Sequence, residues 1–377
     1  MKVLFFSRDY TTHDRRFLQK LSESRHDVWF LRLQNDGIRY ETRPLPERVR
    51  LVKWPGGCHR ADTLESWLSL MPAFEATLED IKPDIVHAGP VQSCGLMTAL
   101  SGFHPFVLMS WGSDMLVDAD RSDLWRWMTC YALRHSDIFV CDCQAVRDKA
   151  RDLTGYRDER IVQFPWGVDA NIYTPGGEGI DLRSQPGWED AFILISTRSL
   201  EPLYGIETLL DAFRQAVAQR KRLRLALLGE GSLKPAIEDF ISRHGLSEYV
   251  YRPGVIPQSR LPDYFRAADL YISCCLSDGS SVSLLEAMAT GLPVIVTDAH
   301  GNREWVGPDN GWLAPAKDAD ANAQAILIAE GMEASQRENM RAANRKVVEQ
   351  RADWNLNFDK LLKAYDEIEA HLPVSRK

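Results

Sequence analysis

The chain passes twice through the same alternation, short runs rich in Val, Ile, Leu and Phe separated by amphipathic stretches, and one segment that follows neither period divides the two passes. Short apolar runs bounded by helical periodicity are strands covered on both faces, which is what parallel sheets with crossover helices demand. Strands are expected at 3–6, 28–31, 51–53, 85–88, 106–109, 138–141 and 161–164, and again at 192–196, 223–228, 270–273 and 294–297. Helical periodicity lies between them, at 15–24, 64–80, 124–134, 205–218, 232–243, 262–267 and 281–290, and closes the chain at 354–371. The dividing segment, from Pro165 to Asp190, is rich in Pro, Gly and Trp. The expected organisation is an N-terminal Rossmann-like domain at 1–170, a linker at 171–190, a C-terminal Rossmann-like domain at 191–352, and a last helix within 353–377 that packs back toward the N-terminal domain. The fold class is α/β, two doubly wound domains facing a central cleft, where the carboxyl ends of open parallel sheets bind ligands.

Composition narrows the partners. With 45 Lys and Arg against 53 Asp and Glu, a net charge of -8, the chain lacks the basic face of a nucleic-acid binder. Arg8, Arg15 and Arg16 make the first loop locally cationic, either as a solvated helix start or as a contact for an anionic acceptor or lipid surface. The 7 cysteines, an odd number, fit a reducing cytoplasm. Cys141 and Cys143 have the wrong spacing for a zinc site, so neither metal nor cofactor is expected. The apolar run in MKVLFFSRDY is too short for a signal peptide, and no stretch is long enough to span a bilayer; any membrane contact is expected to be peripheral.

The most informative segment is SDGSSVSLLEAMATGLPVIVTD, Ser277 to Asp298. Ser280 or Ser281 suits a helix N-cap, and Gly279 with the two serines lets an anion reach the free N–H groups and positive dipole end of a helix beginning near Ser281, with Val282 in its first turn. A diphosphate is expected there. Asp278 precedes the helix and Glu286 falls within it, so the two carboxylates flank the anion as acceptors for sugar and ribose hydroxyls. The plainer reading, an N-cap followed by a surface acid, stands beside it on spacing alone.

This stretch resembles the donor-binding motif of the family 4 retaining glycosyltransferases of GT-B fold, in which two glutamates separated by seven residues precede Ala-Met-Ala and a Gly-x-Pro-Val turn. Further blocks follow in the family's order: PDIVHAGPVQ, WGSDML, ALRHSDIFVCDCQAVRD and PWGVDANIYTPG, then STRSLEPLYGIETLLDAF, LALLGEGSLKPAIE, RLPDYFRAADLYIS and GNREWVGPDNGWL. The resemblance implies that Glu286 holds the ribose, Asp278 the transferred sugar and Arg198 the diphosphate. It also implies that Glu230 lies near the ribose and the backbone at Val255 and Ile256 near the base. Acceptor-side candidates are His13, Arg15, His87 and Trp111, with Asp114 a further catalytic candidate.

Four positions depart from that pattern. Asp278 is shorter than the usual glutamate, Tyr204 stands where a lysine usually gives a second cation, Trp111 replaces a histidine beside the sugar, and SRDYTTHDRRF lacks the paired glycines of many relatives. Leaving-group stabilisation would then lean on Arg198 and the helix end, with Arg303 as a helper. The resemblance implies a retaining, metal-independent hexosyl transfer from a nucleotide-diphosphate sugar to a glycan, lipid-linked or small-molecule acceptor, in cell-envelope or polysaccharide synthesis. A non-catalytic nucleotide-sugar-binding protein, an epimerase or a phosphorylase on the same frame are the rivals.

Overall fold

The computed structural model describes residues 1–37 and 41–372. It contains two compact units: residues 1–164 with the described chain from Phe358 onward, and residues 165–357. Each is built on one parallel sheet.

In the first unit the strands are β1 (Lys2–Ser7), β2 (Asp27–Arg32), β3 (Val49–Leu51), β4 (Ile85–Gly89), β5 (Phe106–Met109), β6 (Ile138–Cys141) and β7 (Ile161–Gln163), in spatial order β3-β2-β1-β4-β5-β6-β7. Helices α1 (Thr12–Glu23), α2 (Leu64–Ser69), α3 (Met71–Ile81), α4 (Leu96–Leu100), α5 (Ser113–Leu116), α6 (Asp123–His135) and α7 (Gln144–Thr154) connect them. Alternate residues of β1 serve opposite faces, as the period of two requires. Phe6 stacks on Phe74 of α3 at 4.9 Å, while Phe5 meets Phe17 of α1 and Phe30 of β2 on the other side. The periodicity at 64–80 predicts one helix, and the structure has two. Pro72 has no N–H to donate into a continuing helix, so it opens α3 instead.

The second unit holds β8 (Phe192–Ser196), β9 (Leu223–Leu228), β10 (Val250–Gly254), β11 (Leu270–Ser273), β12 (Val294–Thr297) and β13 (Gly311–Ala314), ordered β10-β9-β8-β11-β12-β13. Helices α8 (Ile206–Gln219), α9 (Lys234–Arg243), α10 (Leu261–Ala267), α11 (Val282–Ala289), α12 (Ala319–Glu330) and α13 (Ala334–Arg351) cover it. Ile193, Ile195, Val294 and Val296 pack with Leu284, Leu285 and Met288 of α11; Leu194, Leu225, Leu227 and Ile295 pack with Leu209, Phe213 and Ile326 of α8 and α12. Residues 171–190 fold as part of this unit, with Tyr173, Leu182 and Trp188 buried in its core. Arg345 of α13 ties them down by donating to the carbonyls of Ala170 and Tyr173. The last helix, α14 (Trp354–His371), brings Phe358 against Phe17 and Tyr365 against His87 in the first unit.

Both sheets carry the doubly wound reversal: sequence order turns back between β1 and β4 in one, and between β8 and β11 in the other. Loops leaving the carboxyl ends of such strand pairs diverge and leave a crevice between them. The residues after β8 and β11 are therefore the first place to look.

Candidate functional site

In the second unit, the segment after β8 carries Arg198 and the segment after β11 carries Asp278, so both stand at the switch point. Arg198 Nη2 lies 3.0 Å from Asp278 Oδ2. Its Nη1 donates to Ser281 Oγ at 2.7 Å and to Ser283 Oγ at 3.0 Å. The Tyr204 ring covers the guanidinium, 4.2 Å from centroid to Cζ. Burial alone would push the Arg198 pKa down, but Asp278 first, then Cys275, Tyr271 and Tyr204, hold it above its ordinary value. The group is a permanent cation in a partly desolvated setting, where its field acts more strongly than in water.

Ser281 is the N-cap residue of α11, as its place before the apolar run predicts, yet its side chain does not cap the helix. The hydroxyl faces Arg198 instead of accepting from the N–H groups of the first turn. Gly279, Ser280 and Ser281 are buried, whereas Val282 and Ser283 keep partial exposure. Glu286 sits in the second turn of α11, 5% exposed.

Two glycines fix this loop. A Cβ on Gly205, whose φ is +60°, would stand 2.0 Å from the Cys274 carbonyl oxygen. A Cβ on Gly301 would stand 1.9 Å from the Gly279 carbonyl oxygen, and the Gly301 N–H donates to Asp278 O at 3.3 Å. Only a residue without a side chain allows either approach. Gly229 and Gly231 play the same part for the turn after β9, lying against the carbonyls of Arg198 and Leu200. Glu230 between them pairs with Lys234 at 3.0 Å and lies against Gly254, next to Val255, which is 72% exposed, and Ile256, half-buried against the core. Arg303 is occupied elsewhere, in a two-point pair with Asp298.

The structure thus brings Arg198, Asp278 and Ser281 together, with Gly279, Ser280, Val282 and Glu286 on the same loop and helix. Ser283 and the face of Tyr204 belong to the group too. Ser283, the second residue of α11, is not singled out by the sequence, and nothing in it says that Tyr204 stacks on Arg198.

The candidates in the first unit fare differently. The rings of His13 and Trp111 meet at 5.7 Å, and Phe17 packs edge-on to Trp111 at 5.7 Å, so α1 and the residues after β5 are joined there. Arg15 is half-buried on α1. Asp114, expected as a catalytic group, is 3% exposed and has its carboxylate engaged by its own loops. Oδ1 accepts from Ser110 Oγ at 2.6 Å, Trp111 N and Met115 N at 3.0 Å, and Oδ2 accepts from Val91 N at 3.0 Å. It clamps the ends of β4 and β5. Burial raises its pKa against those hydrogen bonds.

His87, an acceptor-side candidate in the sequence, is corrected by the structure. It lies in the middle of β4, paired in register with Phe5, fully buried, and its Nδ1 shares a hydrogen bond with Tyr365 of α14. Burial pushes the ring down to about 3 from 6.5. A depressed histidine stabilises the fold above its unfolded pKa and loses that contribution as pH falls toward the folded value, so the window here is from 6.5 down to about 3. Asp14, raised by burial to about 6 against the pull of Ser7 and Thr11, acts in the opposite sense. Comparing wild type with His87→Phe isolates the histidine. Between pH 7.5 and pH 5 the wild type is expected to lose about 2 kcal/mol more than the variant, by denaturant unfolding at each pH. Equal losses would show that the ring is already charged or solvated in the fold.

Among the described residues, no group of three or more His, Cys, Asp or Glu is placed to hold a metal ion, and no helix is long and apolar enough to cross a membrane. All seven cysteines are free thiols.

A family model described as "Glycosyl transferases group 1" matches residues 180–347, and one described as "Glycosyl transferase 4-like" matches residues 2–143. The putative colanic acid biosynthesis glycosyltransferase WcaL of Escherichia coli (strain K12) is 29% identical over 175 residues, 45% of this chain and 41% of that protein. The alpha-monoglucosyldiacylglycerol synthase of Streptococcus pneumoniae (strain ATCC BAA-255 / R6) is 27% identical over 187 residues, 48% of this chain and 41% of that protein. The matched segment thus spans less than half the length of these relatives. Among solved structures, Anabaena Alr3699/HepE in complex with UDP and glucose superposes with a TM-score of 0.80 at 20% identity, covering 97% of this chain and 99% of that one. WaaG, a glycosyltransferase involved in lipopolysaccharide biosynthesis, gives 0.73 at 14% identity over 98% and 99%. At such identities the likeness is one of fold.

Proposed function

We propose that this chain, which matches the group 1 and 4-like glycosyltransferase models over separate segments and shares the fold of the HepE structure, transfers a sugar from a nucleoside-diphosphate donor to an acceptor hydroxyl. The observation that carries the reading is the Arg198 cradle: a largely buried cation and two serine hydroxyls beside the start of α11, whose N-cap hydroxyl is turned to the cation, at the switch point of a doubly wound sheet. Hydroxyls, a fixed cation and free N–H groups are what a departing diphosphate needs. In this reading Glu286 takes the ribose, Glu230 lies near it, the backbone at Val255 and Ile256 meets the base, and Asp278 takes hydroxyls of the transferred sugar.

The transfer is proposed to retain configuration. The protein would act by holding the donor and neutralising the leaving group, while the acceptor attacks from the face the diphosphate vacates. His13, Arg15 and Trp111 are the acceptor-side groups of the first unit; Asp114 supports them by fixing the loop that carries Trp111. A cell-envelope or polysaccharide acceptor fits what the names of WcaL and WaaG say of those proteins. Free cysteines throughout fit a reducing cytoplasm, with a membrane reached only peripherally.

The first test is thermal unfolding with UDP, GDP, ADP and dTDP, each with its common sugar conjugates. One nucleotide is expected to raise the melting temperature by roughly 5 °C at a hundredfold excess over Kd, and its sugar conjugate to release nucleotide when acceptors are added. Binding without release under any acceptor would favour a non-catalytic nucleotide-sugar binder; no shift with any nucleotide would remove the donor site.

A further inference from the structure

The Arg198 cradle already contains an anion. The side chains of Asp278 and Arg198 are only 18% and 11% exposed, and their contact is a direct 3.0 Å pair. The other terminal nitrogen is taken by Ser281 and Ser283, and one face of the guanidinium is covered by Tyr204. The edge that meets Asp278 is thus the edge a diphosphate would need. Seating a diphosphate there while Asp278 stays would set two anions on one cation in a partly desolvated site, and like charges at that distance oppose one another strongly.

We propose that Asp278 is a resident counter-anion and that a donor diphosphate binds by exchanging with it on Arg198. The inference rests on the reading that the diphosphate goes to this cradle. It adds an order of events. While the site is empty, Arg198 holds the carboxylate that is to take sugar hydroxyls; when the diphosphate arrives, Asp278 is released and becomes free to accept from the sugar. Phosphate binding and sugar recognition become one step, and a free sugar meets a carboxylate already engaged. The two serines and the Tyr204 ring are uncharged, so they keep the guanidinium aimed through the exchange without competing for the anion. Tyr204 is here a positioning residue that acts through the Arg198 guanidinium.

The exchange predicts opposite effects from one substitution. Asp278→Asn keeps the shape and removes the competing charge. Without anions the variant should melt below wild type, because Arg198 has lost its partner. Inorganic pyrophosphate should then bind it about tenfold or more tighter than wild type and recover the lost stability, while transfer from the nucleotide sugar falls. A merely structural aspartate would weaken both. The measurement is calorimetric titration of full-length wild type and variant with pyrophosphate and with the nucleoside diphosphate found by melting. If wild type binds the nucleotide and Asp278→Asn binds pyrophosphate no tighter, the exchange is wrong and the donor site stands. If wild type binds neither, the donor site itself is wrong. Should the variant fail to fold, a crystal of wild type with pyrophosphate decides: the Arg198–Asp278 distance opens beyond ion-pair range if the exchange occurs, and stays at 3.0 Å if it does not.

Discussion

An Arg198→Ala variant is expected to lose about 100- to 1,000-fold in kcat/KM for its nucleotide-sugar donor, the usual effect of removing one preorganised group that stabilises charge in a transition state. The reason lies in how few cations the site has. Among the described residues, Arg198 is the charged donor beside Ser281 and Ser283, Arg303 is turned to Asp298, and Tyr204 offers a ring face. Arg198→Lys keeps the charge but not the fork that reaches two serines and a carboxylate at once, and should recover only part of the loss. Initial-rate kinetics on both variants, with melting curves to show that they fold, decide the matter. An alanine variant at full activity would remove Arg198 from the mechanism.

The largest effect on stability is expected at Gly205. Its φ of +60° costs a side chain about 1–2 kcal/mol, and a Cβ 2.0 Å from the Cys274 carbonyl must push apart the start of α8 and the end of β11, for about 1–3 kcal/mol more. Gly205→Ala should therefore lose about 2–5 kcal/mol in denaturant unfolding. Because the same contact sets Tyr204 over Arg198, nucleotide binding should weaken as well. Gly245→Ala is the control: its φ is +62° with no atom within 4 Å of the added Cβ, so only the backbone cost applies. If the two variants unfolded alike, the close approach to Cys274 would not be a constraint on the site.

What the sequence discloses follows from where the information is local. Central strands such as Phe192–Ser196 and Val294–Thr297 are buried on both faces, and their apolar runs state this directly. The edge strands Val250–Gly254 and Gly311–Ala314 escape notice, the first because Pro253 reads as a breaker and an edge alone tolerates it, the second because Gly311 and Trp312 read as a turn. At the site, Arg198, Asp278 and Ser281 are legible because a helix start after a strand is a local pattern. The stacking of Tyr204 and the reach to Ser283 depend on how two loops approach, which only the fold sets. His87 shows the limit most plainly. Its neighbours Phe5 and Tyr365 come from the two ends of the chain, 278 residues separating the histidine from the tyrosine, and no pattern near residue 87 announces that it is sealed.

The most direct measurement is a crystal structure of the chain with the nucleoside diphosphate that most raises its melting temperature. The diphosphate is predicted within hydrogen-bonding distance of the Arg198 guanidinium and of the N–H groups of Val282 and Ser283. A nucleotide bound at any other place, with Arg198 untouched, would contradict the account.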